Sequence, residues 1–202
     1  MKERPAATLD VSHLAPGAFG HRSILWWGTM GIVVIEGTMF GLMFGVYFYL
    51  RMRNSTWPAN VPPPDLKWGT LNLLLLFASA VPNELAKRAA ERIDLSKVRL
   101  WLVVCLAFGV VFNVIRALEF TTLNVRWDTN AYGSVVWMLL ALHTTHILTD
   151  VLDTGVLTVL MLTGPIEEKR FVDVSENSVY WYFVVFTWVP VYAVLYIAPR
   201  LT

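Results

Sequence analysis

Residues 24–50 read ILWWGTMGIVVIEGTMFGLMFGVYFYL, an apolar run of 27 residues with one ionisable group, Glu36, near its middle. A helix crosses a hydrocarbon core of about 30 Å in about 20 residues, so this run is long enough to span. Four further stretches repeat the pattern: Trp68–Ala86, Leu100–Phe120, Tyr132–Leu162 and Val179–Ala198. The fold class read from them is all-α, an integral membrane five-helix bundle with little chain outside the bilayer. The composition agrees, with 56% hydrophobic and only 15% charged residues. Function then turns on the few ionisable groups inside the stretches: Glu36, Glu84, Arg116, Glu119, His143, His146, Asp150 and Asp153.

Residues 1–23 form a short leader and residues 24–202 one five-helix domain. The leader carries Lys2, Glu3, Arg4 and Asp10 and lacks an apolar run, so it is not read as a secretory signal. A net charge of +1 argues against a nucleic-acid partner, and the single cysteine, Cys105, excludes an internal disulfide. Five spans place the two ends on opposite sides. Lys2, Arg4, Arg22, Lys87, Arg88, Arg92, Lys97, Arg99, Lys169 and Arg170 fall on one side; Arg51, Arg53, Lys67, Arg126 and Arg200 fall on the other. The excess on the first side makes the N-terminus cytoplasmic and the C-terminus external. Between the spans, Asn54–Asp65 with its prolines reads as an extended external crossing. Ala89–Val98 can continue a helix as far as Asp94. Gly164–Ser178 reads as a polar loop after a helix stop at Gly164-Pro165, and Pro82 is expected to bend the second span.

Charge inside a bilayer is costly and faces protein or water. Glu36 is flanked by Gly37, Gly41 and Gly45, a small-residue stripe that would let another helix approach closely. His143, His146, Asp150 and Asp153 are offset by three, seven and ten, so they share one face of the fourth span. That face reads foremost as a polar helix–helix seam. The sharper alternative is a metal site completed by Glu36, Glu84 or Glu119, since one helix supplies only part of a coordination sphere. Arg116 and Glu119, three apart, read as an ion pair anchoring the outer end of the third span. Glu84, beside Lys87 and Arg88, reads as an interfacial carboxylate that snorkels or pairs. No Cys-x-x-Cys-His, phosphate-binding glycine loop or Ser-His-Asp set is present, and no residue is assigned as catalytic or as a metal ligand.

Several motifs, in order, resemble subunit III of the haem–copper oxidases in its short five-helix form. Glu36-Gly37-Thr38-Met39-Phe40 running to Tyr47-Phe48-Tyr49-Leu50-Arg51 is similar to the family's Ser-Glu-x-Met-Phe-Phe…Tyr-Phe-x-x-Arg helix. Trp57-Pro58 matches the following loop, and Thr70-Leu71-Asn72 the opening of the next helix. Arg116–Phe120 resembles Gln-x-x-Glu-Tyr, Tyr132-Gly133-Ser134 stands as Tyr-Gly-Ser, and His143-Thr144-Thr145-His146 matches His-Gly-x-His. Tyr180-Trp181-Tyr182-Phe183-Val184, with Trp188 and Tyr192, follows the closing aromatic pattern. This chain has Tyr182 where the family has His and Val185 where it has Asp. It lacks the second-span histidine, and Asp150 and Asp153 are additions.

The resemblance implies a non-catalytic accessory subunit of a proton-pumping terminal oxidase of the cytochrome c oxidase type, in the aerobic respiratory chain of a bacterial inner membrane. It implies that haem and copper lie in partner subunits I and II and none on this chain, and that the chain stabilises subunit I and holds phospholipid. Glu36, Glu119, His143 and His146 match the family's polar intramembrane positions. Arg51, Trp57, Arg116, Trp181 and Trp188 are candidate lipid or interface contacts. An accessory chain of a nitric oxide reductase-type complex, or a self-contained metalloprotein using His143, His146 and Asp150, are the alternatives.

Overall fold

The computed structural model describes residues 19–58 and 61–201, so the leader up to residue 18 lies outside the described residues. Five long helices follow one another: α1 Ile24–Arg53, α2 Leu66–Glu91, α3 Leu95–Thr121, α4 Ala131–Thr163 and α5 Glu168–Tyr192. Past α5 the chain continues as a wider π-type turn, Ala193–Ile197, and a 3-10 turn, Ala198–Arg200. No β-strand occurs among the described residues.

Polar side chains start four of the helices by accepting first-turn backbone N–H groups that have no intrahelical partner. Ser23 Oγ accepts from Leu25 N at 3.1 Å, Asp65 Oδ1 from Lys67 N at 3.1 Å, Asp94 Oδ1 from Lys97 N at 3.2 Å and Asn130 Oδ1 from Gly133 N at 2.7 Å. The α2–α3 connection is tight because Ile93 takes a left-handed backbone conformation, with φ 54°. There Ile93 N donates to Ala90 O at 2.9 Å and Asp94 N to Ala89 O at 3.0 Å. As read from sequence, α2 runs past Pro82 into the charged segment, and the described part of Asn54–Asp65 is not helical.

One expectation is corrected. The stretch read as a loop up to Ser178 is a loop only over Gly164–Glu167, and α5 begins eleven residues ahead of the apolar run. Phe171, Val174 and Ser178, spaced three and four apart, are buried on one face of that extra length. Phe171 and Val174 pack with Ala90, Val98, Leu102 and Met161 in a second core at this end of the bundle.

Four segments, α1, α3, α4 and Glu168–Arg200, are long and apolar enough to cross a membrane. At 26 residues α2 has a length of about 39 Å, which also suffices, but polar residues interrupt its apolar run. Asn72, Ser79 and Asn83 on α2 are all buried and all hydrogen-bonded to neighbours, so the helix is polar toward protein rather than toward lipid. The chain is a multi-pass membrane protein. α2 packs between α3 and α5, α4 closes on α3 and α5, and α1 lies at the edge against α4 and α5. α1 buries least of its length, and α4 and the α5 segment most. The close approach expected at the α1 glycine stripe is not made within the chain. A Cβ on Gly37 would meet Phe183 at an ordinary 3.8 Å, and one on Gly41 or Gly45 would meet nothing within 4 Å.

Candidate functional site

The ionisable groups gather along one polar seam running through the apolar bundle. At its end near the C-terminus of α3, Arg116 is 1% exposed and Glu119, one turn on, is 2%. The expected ion pair is made, with Nη1 2.9 Å from Oε2, but it is sealed inside the bundle and does not mark a wetted helix end. An uncompensated charge there is very costly, and the neighbours supply the compensation. Asn72 Nδ2 donates to Glu119 Oε2 at 2.6 Å, and the Tyr196 hydroxyl donates to Oε1. The Arg116 guanidinium lies 4.0 Å from the Trp188 ring centroid and 5.0 Å from that of Phe112, so π-faces solvate the cation. Its Nη2 lies 3.4 Å from His143 Nδ1.

That contact sets the state of His143. A guanidinium only donates, so Nδ1 must accept, and Nε2–H then donates to Val184 O at 3.0 Å. The buried imidazole is neutral and has no free nitrogen. One turn along, the Nδ1 of His146 faces the Leu142 carbonyl, which can only accept. Its Nε2 therefore points away from the helix and lies 3.5 Å from Glu36 Oε2 on α1. Tyr180 OH on α5 donates to the same oxygen at 2.7 Å. Three helices thus meet at the Glu36 carboxylate.

Toward the N-terminal end, Asn177 Nδ2 reaches Asp153 Oδ2 at 3.1 Å and Asp150 Oδ1 at 3.4 Å, and Thr154 Oγ donates to Asn177 Oδ1 at 3.1 Å. Asp150 is buried and Asp153 exposed. On the other side of α5, Trp181 Nε1 donates to Ser79 Oγ at 2.9 Å and Asn83 Nδ2 to Ser178 O at 3.0 Å. Glu84 pairs as the sequence suggested, with Arg88 Nε at 2.6 Å, and also accepts from Tyr182 OH at 2.8 Å.

The histidine face is therefore a helix–helix seam. His143 is tied by Val184 and Arg116, Glu119 by Arg116, Asn72 and Tyr196, and Glu84 by Arg88 and Tyr182. Among the described residues no three His, Cys, Asp or Glu side chains converge in a way that could hold a metal ion. Of the five candidate lipid or interface contacts, Arg116, Trp181 and Trp188 lie inside the bundle, covered by this chain's own helices. Arg51 and Trp57, at the C-terminal end of α1 and in the following loop, keep part of their surface. Trp57 Nε1 donates to Tyr47 OH at 3.0 Å and its ring stands edge-on to Tyr132, which fixes the loop between α1 and α2 to α1 and α4.

Several partners in the seam were not singled out from sequence as site residues, Asn177, Tyr180, Tyr196 and Asn72 among them. Asn177 lies in the stretch read as loop. Tyr180 and Tyr196 read as aromatic span residues, and Asn72 only as part of a motif. For Tyr180, Tyr196 and Asn72 the detectable signal was a polar atom inside an apolar run, which must find a partner in a membrane.

The family model of cytochrome c oxidase subunit III matches residues 18–199. A cytochrome c oxidase subunit 3 of Thermostichus vulcanus is 26% identical over 199 residues, covering 98% of this chain and 97% of that protein. The Synechocystis protein of the same name is 24% identical over 91% of this chain and 79% of its own length. A probable cytochrome c oxidase subunit 3 of Mycobacterium bovis is 28% identical over 84% and 85%.

Proposed function

The chain belongs to the cytochrome c oxidase subunit III family, and from that premise we propose that it is the non-catalytic subunit packing against subunit I, with subunit II, in a proton-pumping haem–copper terminal oxidase. It serves as an accessory subunit of such an oxidase complex. Haem and copper belong to the partner subunits, and this chain contributes a rigid five-helix bundle that steadies the catalytic subunit and holds phospholipid on its exposed apolar faces. It sits in a bacterial plasma membrane with its N-terminus in the cytoplasm, the side that carries the greater share of Lys and Arg.

The observation that carries this reading is how the polar seam is used. Glu36, Glu119, His143 and His146 all contact groups of this same chain. Their partners lock α1, α3, α4 and α5 together and leave an apolar exterior. That is a scaffold's chemistry. Arg51 and Trp57, half-exposed at the outer end of α1, are placed to meet a lipid headgroup or a partner subunit.

The test is purification from native membranes in mild detergent through a tag on this chain, with a reduced-minus-oxidised visible spectrum and mass spectrometry of what accompanies it. Haem bands and a large haem–copper subunit in fixed ratio are expected, and the haem type narrows the electron donor. Co-purification of a nitric oxide reductase would favour the sister complex. A colourless preparation without a partner would overturn the proposal.

A further inference from the structure

Between α1, α4 and the first turns of α5 lies an open cleft of about 520 Å³, at the N-terminal end of the bundle. Its lining is divided by chemistry. Leu25 and Ile32 on α1 and Val156 and Leu160 on α4 make one wall apolar. The other wall carries Glu36, Asp150, Asp153, Asp173 and Glu176, against one cation among the described residues, Arg170. Arg170 is itself engaged, with Nη1 3.8 Å from Asp173 Oδ2.

Most of these carboxylates have partners: Glu36 has Tyr180, and Asp150 and Asp153 share Asn177. Glu176 is different. It is only 6% exposed, and neither of its buried carboxylate oxygens has a hydrogen-bond partner. The Lys87 ammonium on α2 acts on it through its field and forms no ion pair with it among the described residues. A buried carboxylate without a donor is a costly arrangement that a bound donor would relieve. The ligand that fits therefore brings a cationic N–H donor to the acidic wall and a hydrocarbon body to the apolar one.

We propose that this cleft binds a long-chain primary amine in its ammonium form, with the head at Glu176 and the acidic wall and the chain along Ile32 and Val156. Charge complementarity selects this occupant. A phosphate-bearing headgroup brings negative charge and no cationic donor to a wall of five acidic side chains, whereas an ammonium can donate to each of them. Access follows from the fold, since Ile32 on α1 and Val156 on α4 are exposed at the mouth of the cleft. The site is independent of the chain's place in the oxidase, because it is built from this chain alone.

The experiment uses the intact complex purified through this chain, with native mass spectrometry and displacement of a spin-labelled hexadecylammonium probe. Dodecylamine should bind and displace the probe, while dodecanol of equal chain length should not. Glu176→Gln should weaken the amine by about ten- to a hundred-fold, the worth of a charged hydrogen bond. Ile32→Trp, at an exposed position where folding is undisturbed, should block the chain end and lower binding without touching the acids. Equal displacement by dodecanol, or by phosphatidylethanolamine at the same concentration, would overturn the proposal. So would amine binding unchanged in both variants.

Discussion

Arg116 and Glu119 form an ion pair 2.9 Å long with both side chains almost wholly inside a membrane bundle. The pair is neutral as a unit and is held on four sides, by Asn72, Tyr196, His143 and the Trp188 ring. Removing one partner strands the other charge. Arg116→Leu or Glu119→Leu alone should destabilise the chain by about 3–5 kcal/mol, while the double substitution should cost clearly less than the sum. Thermal dissociation of the chain from the purified complex measures both. Additive losses would mean that the two charges do not depend on each other.

Ile93 offers a gain. A β-branched residue with φ 54° is held where glycine ordinarily ends a helix, at a penalty of about 1–2 kcal/mol. Its side chain is 50% exposed, so little packing is lost on removing it. Glycine's greater freedom in the unfolded chain offsets part of the relief. Ile93→Gly should still raise the thermal midpoint, by the equivalent of about 1 kcal/mol. A lowered midpoint would show that Ile93 is held by packing.

How much of this was legible in the sequence depends on range. Helical spacing gave the Arg116–Glu119 pair, because partners three or four apart meet on any helix, while Glu84 was legible only as a carboxylate that snorkels or pairs beside Lys87 and Arg88. It also placed His143, His146 and Asp150 on one face. It could not show which helix that face meets, so the bonds from Tyr180 to Glu36 and from Tyr196 to Glu119 were invisible. Those partners are 144 and 77 residues apart. Tyr196 further depends on the π-type turn, which stacks it on Tyr192 at 5.1 Å. The start of α5 was missed because its first turns are polar on the outside, and hydropathy sees only the average of the two faces.

Gly133, within the Tyr-Gly-Ser element, is a packing requirement. A Cβ there would lie 2.2 Å from the backbone oxygen of Arg126, which cannot rotate away. At Gly155, in the same helix, a Cβ would make ordinary contact with Leu106 at 3.7 Å. Alanine is the better helix former by about 1 kcal/mol. Gly155→Ala should therefore be neutral or stabilising, whereas Gly133→Ala should lose about 1–3 kcal/mol as the turn before α4 is pushed open. Melting both variants beside the parent separates the two, and equal effects would remove the steric account.

The α2–α3 turn should carry a pH signature. The Asp94 carboxylate is held below its usual range, first by the hydrogen bond from the Lys97 side chain and then by the Lys97 backbone N–H that it caps. A carboxyl group depressed in the folded state stabilises it above the unfolded value and loses that contribution as pH falls through the folded one. Asp94→Asn keeps a capping oxygen but not the charge. The variant should melt below the parent at neutral pH, by a constant gap down to about pH 5, and the gap should close as acid protonates Asp94 below about pH 4. The group is open to solvent on one side, so salt should shrink the gap as well. A gap that widened on acidification would mean that Asp94 is held in its protonated form, contrary to the bonds it makes here.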